Sequence, residues 1–212
     1  MKAITKTYDP KEELWNVITH GFGLLLSITA LVFLVVWASL YMSVWHIVSF
    51  SIYGASLVVL YLASTVYHLA KKPKLKKRLN VFDHASIYVL IAGSYTPYML
   101  VTLRGPWGWS IFGVVWGMAI AGIIFKLFFT GRFDKLSTAA YVVMGWIAVV
   151  GFYPLIMKLA TPGLIMLIVG GVFYTVGAIF YLREKIHFNH VIFHVFVLLG
   201  SISHFVSIFF FV

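Results

Sequence analysis

The 212-residue sequence contains no cysteine, which excludes a disulfide framework and a thiolate metal site and leaves histidine and carboxylate to build any transition-metal site. Charge is also scarce, with 10% of residues charged and six of them acidic. No long polar stretch remains to form a separate soluble unit, so residues 1–212 read as one membrane domain with a short leading segment, 1–16. The formal net charge of +10 does not point to nucleic acid, because its cations fall in short clusters between apolar runs and no soluble basic face exists to carry such a partner.

Apolar sequence dominates, at 62% of residues. A membrane span needs about 20 apolar residues to cross roughly 30 Å of hydrocarbon. Runs of that length occur near 17–41, 45–68, 81–101, 107–129, 136–157, 163–182 and 190–212, which predicts an all-α, polytopic bundle of seven transmembrane helices. The break between the first two, at 41–45, is the least clearly marked. The first run is longer than a signal-peptide core, and Glu12 and Glu13 stand where a basic leader would be, so it reads as a retained helix.

Lysine and arginine divide unequally between the two ends of these helices. Lys2, Lys6 and Lys11 precede the first; the loop after the second holds Lys71, Lys72, Lys74, Lys76, Lys77 and Arg78; the loop after the fourth holds Lys126, Arg132 and Lys135; the loop after the sixth holds Arg183 and Lys185. Only Arg104 and Lys158 fall on the opposite side. The positive-inside rule then places the N-terminus in the cytoplasm and the C-terminus outside, in a multi-pass plasma-membrane protein of bacterial type.

Asp9, Glu12, Glu13, Asp134 and Glu184 are expected in the leading segment or in loops, whereas Asp83 alone sits inside an apolar run. A charge buried there is costly and points to a functional partner; the plainer reading is an interfacial residue satisfied by water or by the basic loop. His190 and His194, four residues apart, share one face of the seventh helix one turn apart and can chelate one ion. Two histidines at this spacing also arise by chance. Helix parity strengthens the case. Ends of even-numbered helices and beginnings of odd-numbered ones lie on the same face, so His68, Asp83, His190 and His194 share one depth near the cytoplasmic leaflet. Three imidazoles leave a fourth position of a tetrahedral ion open, as in catalytic zinc sites. Three histidines favour zinc, whereas two with Asp83 as a direct ligand would suit iron(II).

Ser64 precedes His68 by one turn, placing its hydroxyl toward Asp83 and the metal's water, unless it bonds its own helix backbone. His20 shares the layer and is expected to support it from behind, with His84 and His187 as lesser ligand candidates. His46 belongs to the outer side. His204, about 21 Å deeper than His190 at ~1.5 Å per residue, is expected to hydrogen-bond within the outer half instead. Gly113, Gly117 and Ala121 suit close helix approach, and Pro97 should kink the third helix by freeing the carbonyl of Gly93.

Glu13-Leu14-Trp15-Asn16 with His20, Ser64 to His68, Phe82-Asp83 leading to Gly93-Ser94-Tyr95-Thr96-Pro97, and His190 to His194 together resemble the haemolysin III family, related to the progestin and adipoQ receptors. The resemblance covers about residues 13–204. It implies seven helices with the N-terminus inside, zinc on His68, His190 and His194, and Asp83 and Ser64 beside the water that the zinc activates. Related receptors are associated with hydrolysis of the ceramide amide bond, and the haemolysin label with pore formation. The short leading segment and outer loops depart from the hormone-binding members.

Three functions compete. A zinc-dependent intramembrane hydrolase would cleave an amide or ester bond of a membrane lipid, with Asp83 as base and Ser64 orienting the nucleophile. A non-enzymatic sensor or receptor would use zinc as a pin between helices. A pore-forming cytolysin would need a polar path through outer helix halves that hold few ionisable groups.

Overall fold

The computed structural model describes residues 8–212. Lys2 and Lys6 of the basic count lie outside the described residues. Among those described there are helices and no strands: α1 (Pro10–Tyr41), α2 (Val44–Leu69), α3 (Pro73–Pro97), α4 (Pro106–Phe129), α5 (Asp134–Gly145), α6 (Phe152–Lys158), α7 (Thr161–Leu182) and α8 (Asn189–Phe211). A π-helical turn, Tyr98–Thr102, extends α3, and a 3₁₀ turn, Ile147–Gly151, joins α5 to α6. The result is seven helical segments long and apolar enough to cross a membrane, the fifth being α5 and α6 taken together.

Local chemistry sets the boundaries. Asp9 caps α1 by accepting from the Lys11 N–H at 2.8 Å, and Pro10 occupies the first helical position, where no intrahelical donor is needed. Proline also opens α3 and α4, at Pro73 and Pro106. The least clear expected boundary resolves into the two-residue break Met42–Ser43. At Pro97, where a kink was expected, the α-helix ends and a π turn begins at Tyr98.

Three expectations are corrected. The basic stretch after α2 is largely helical: Lys74, Lys76, Lys77 and Arg78 belong to α3, which begins at Pro73 because proline is a good first residue and long cationic side chains can run from the helix to water. Lys126 is not a loop cation but a fully buried residue of α4. Gly113 and Gly117 meet no neighbour within 4 Å of where a Cβ would stand, so the close approach occurs elsewhere. It falls at Gly93, where such an atom would lie 2.6 Å from the Ser56 Cβ, and at Gly122, 2.4 Å from the Tyr88 ring.

Around the bundle, α1 packs on α2 and α8, α2 on α3, α3 on α4 and α5, and α5 on α7, which returns to α8. The α3 segment is the least apolar span and the most buried, because its polar residues face protein instead of lipid. The core runs through Leu34, Phe50, Tyr53, Tyr61, Met99 and Ile208. Parity sets the beginnings of α1, α3, α5 and α8 beside the ends of α2, α4 and α7 on one face, and the polar cluster forms there.

Candidate metal centre

His68 is in the last turn of α2, and His190 and His194 are in the first two turns of α8. All three are buried, and one ring nitrogen from each lies within 4.8 Å of the others, a group that could hold a metal ion. The helical stagger that put His190 and His194 on one face meets His68 across the bundle, with Nε2 of His68 3.3 Å from Nε2 of His190. Nitrogens on a tetrahedral ion, each about 2.0–2.1 Å from it, stand about 3.3 Å apart.

The remaining contacts fix which nitrogen faces inward. His68 Nδ1 lies 2.6 Å from Glu13 Oε2 on α1, an arrangement in which Nδ1 donates to the carboxylate and leaves Nε2 as the inward-facing acceptor. His194 Nδ1 is 3.2 Å from Thr19 Oγ1, which likewise leaves Nε2 to the interior. The His194 ring stacks on His20 at 3.4 Å between centroids and 11° between planes. His190 is set by the turn before α8. Phe188 adopts a left-handed backbone (φ 58°), and the Asn189 amide donates to the last carbonyls of α7, Phe180 and Tyr181, at 3.2 Å each. Tyr8 stacks on His190 at 4.7 Å; burial, the largest influence, raises its phenol well above the usual value, so it stays protonated and neutral.

Glu13 also accepts from Lys76 of α3. It was expected in the leading segment, yet α1 starts early enough to make it helical and to aim it at His68; the only sequence signal was its place in the motif Glu13 to Asn16. His20 lies beside the cluster, with Nδ1 2.7 Å from the Ser64 hydroxyl. Ser64 is buried and bonds that imidazole, not its own backbone.

Asp83 lies outside the imidazole group but lines the same cavity as Ser64, His190 and His194. Its carboxylate is 14% exposed and stands 3.5 Å from His84 Nδ1. His84 is engaged with the Asn80 carbonyl and Tyr181, and His187 is an exposed residue of the α7–α8 turn, so neither joins the cluster. His46 contacts Ser43 and the Val212 carbonyl at the other face. His204 donates from Nε2 to the Leu167 carbonyl at 3.2 Å, in agreement with its expected hydrogen-bonding role, and also reaches the far end of the cavity.

The Haemolysin-III related family matches residues 8–205, nearly the whole chain. This protein belongs to that family. Family members similar to it include "Hemolysin-3" of Bacillus cereus, 49% identical over 211 residues covering 100% of this chain and 96% of the relative. The "Hemolysin-3 homolog" of Bacillus subtilis (strain 168) is 49% identical over 201 residues, covering 95% and 94%. A human relative, "Monocyte to macrophage differentiation factor", is 29% identical over 202 residues, covering 91% and 81%. No solved structure matches. The seven spans and these bacterial relatives agree with a multi-pass protein of a cell membrane.

Proposed function

We propose that this haemolysin III family protein is an intramembrane hydrolase that holds zinc on His68, His190 and His194 and cleaves an amide or ester bond of a membrane lipid. The observation that carries the reading is the convergence of three buried imidazoles whose outward nitrogens, on His68 and His194, are already engaged by Glu13 and Thr19. Those engagements set the rings for a cation, and the donor set of three neutral nitrogens without thiolate suits zinc. Zinc bound there would supply a Lewis acid for the scissile carbonyl and lower the pKa of water.

The chain's own residues do the rest. Asp83, on the wall of the cavity, accepts the proton of the attacking water and returns it to the leaving amine or alcohol. Ser64, held by His20, orients that water. The lining continues through Leu60, Ile87, Leu90, Ile91 and Val197, an apolar surface for an acyl chain. With the N-terminus in the cytoplasm, the cluster lies at the cytoplasmic leaflet, where lipid can enter between helices.

The test is elemental analysis of the purified protein followed by a screen of amide- and ester-linked lipids for released fatty acid. One zinc per chain, lost on His68→Ala, His190→Ala or His194→Ala, is the expected result. Metal-free protein would overturn the assignment. A second reading, a receptor in which the ion is a pin, has in its favour that the cluster ties α2 to α8. It predicts that these variants lose fold or signalling and that no hydrolytic product appears from any lipid. A pore would need a water-filled path where Phe50, Tyr53, Tyr61 and Met99 are packed as core.

A further inference from the structure

The cavity wall carries a cation that hydrolysis does not use. Lys126, in the last turn of α4, is 0% exposed and lines the cavity that Ser64, Asp83, His190 and His194 also line. Its ammonium has no hydrogen-bond partner among the described residues. The nearest acid is Asp134 at the start of α5, whose Oδ1 stands 3.8 Å away and is also buried without a hydrogen bond. Two opposite charges thus face each other beyond hydrogen-bonding distance, each with unused capacity. A buried ammonium whose ion pair makes no hydrogen bond is only partly compensated, and the cavity beside Lys126 gives a bound ligand room to supply a closer acceptor. The Tyr141 ring, 6.0 Å from Nζ, offers only a weak cation–π contact.

The charges around this end of the cavity favour an anion. Asp83 and Asp134 are the carboxylates whose charge reaches Lys126. A divalent ion on the imidazoles together with Lys126 would exceed those two negative charges by one, a surplus that an anionic ligand neutralises. The wall beyond is apolar, as an acyl chain requires. We infer that Lys126 is the specificity-determining residue of the site and that it receives the anionic headgroup, phosphate or carboxylate, of the lipid whose acyl chain fills the cavity. The inference rests on the hydrolase reading for its purpose, since it names the class of substrate as an anionic amphiphile instead of a neutral one.

The test measures binding to the zinc-replete protein in a neutral detergent, with dodecyl phosphate, dodecanoate and uncharged dodecanol as probes. At least one anionic probe is expected to bind about tenfold more tightly than the alcohol, the range of a charge-assisted hydrogen bond. Comparison of phosphate with carboxylate identifies the headgroup. Lys126→Met should abolish the preference with zinc stoichiometry and helical content unchanged, and Lys126→Arg should retain it. Asp134→Asn, which removes the competing carboxylate, should tighten anion binding, and it decides the matter if Lys126→Met does not fold. Equal binding of all three probes by the parent protein, an undiminished preference in folded Lys126→Met, or anion affinity unmoved by Asp134→Asn would each overturn the inference. Protein that binds zinc and prefers the anionic probes but hydrolyses no lipid would defeat the hydrolase reading while leaving the inference standing, so the two failures are distinct.

Discussion

At the residue scale, the proposed site separates the residues expected to hold a metal from the one expected to use it. Glu13 accepts from His68 Nδ1 and turns Nε2 inward. Removing such a carboxylate partner typically costs ten- to a hundred-fold in metal affinity. Glu13→Gln is therefore expected to weaken zinc binding by about tenfold or more, measured by competition with a chromogenic chelator, while circular dichroism shows the helices intact. An unchanged affinity would show that Glu13 serves Lys76 instead. Asp83 lies on the cavity wall outside the imidazole group, so Asp83→Asn should keep its zinc and lose lipid turnover by about a hundred-fold or more, as expected for a lost general base. If that variant lost its metal instead, Asp83 would be a ligand and the case for zinc over iron(II) would weaken. The histidines of this site were legible in the sequence because the i, i+4 spacing and helix parity are geometric. Glu13 and Lys126 were not: Glu13 precedes the expected start of the first helix, which begins earlier, and Lys126, although inside the run 107–129, counts with the basic loop that follows it because its charge matches that side.

At the scale of elements, glycine pairs were legible as small-residue patterns but not as contacts, since the spacing does not say which face meets a neighbour. Gly113 and Gly117 form the clearer pattern and face open space, whereas Gly93 lies against Ser56 and brings α3 onto α2. A methyl group at Gly93 would stand 2.6 Å from the Ser56 Cβ, too close for side-chain rotation to relieve. Gly93→Ala is expected to destabilise the protein by about 1–3 kcal/mol, the usual cost of overpacking, and to lower the melting temperature in detergent. Gly113→Ala should leave the melting temperature unchanged or raise it, because alanine is the better helix former and nothing is displaced. Equal losses in the two variants would mean that Gly113 meets a second molecule in the membrane. The fifth span reads as one helix because apolar residues dominate the run from 136 to 157, yet Gly145, Gly151 and Pro154 bracket the 3₁₀ turn Ile147–Gly151, where the Ala148 N–H leaves the helical ladder and donates to the Tyr95 hydroxyl at 2.8 Å.

At the scale of the whole molecule, the distribution of charge predicts an orientation, and the cysteine-free sequence supplies the means to test it. Lys77 in α3 and Lys158 at the end of α6 are both exposed and lie toward opposite ends of the bundle. Because the parent chain has no thiol, Lys77→Cys and Lys158→Cys each introduce one reporter without background. In intact cells, a membrane-impermeant maleimide should label Lys158→Cys and spare Lys77→Cys until the membrane is opened. Labelling of Lys77→Cys in intact cells would invert the bundle. Since His68 closes α2 on the same side as Lys77, inversion would also move the imidazole cluster to the outer leaflet. The same pair of labels therefore decides which leaflet would supply the proposed lipid substrate, because parity binds the site to the basic end of the helices whichever way the protein is inserted.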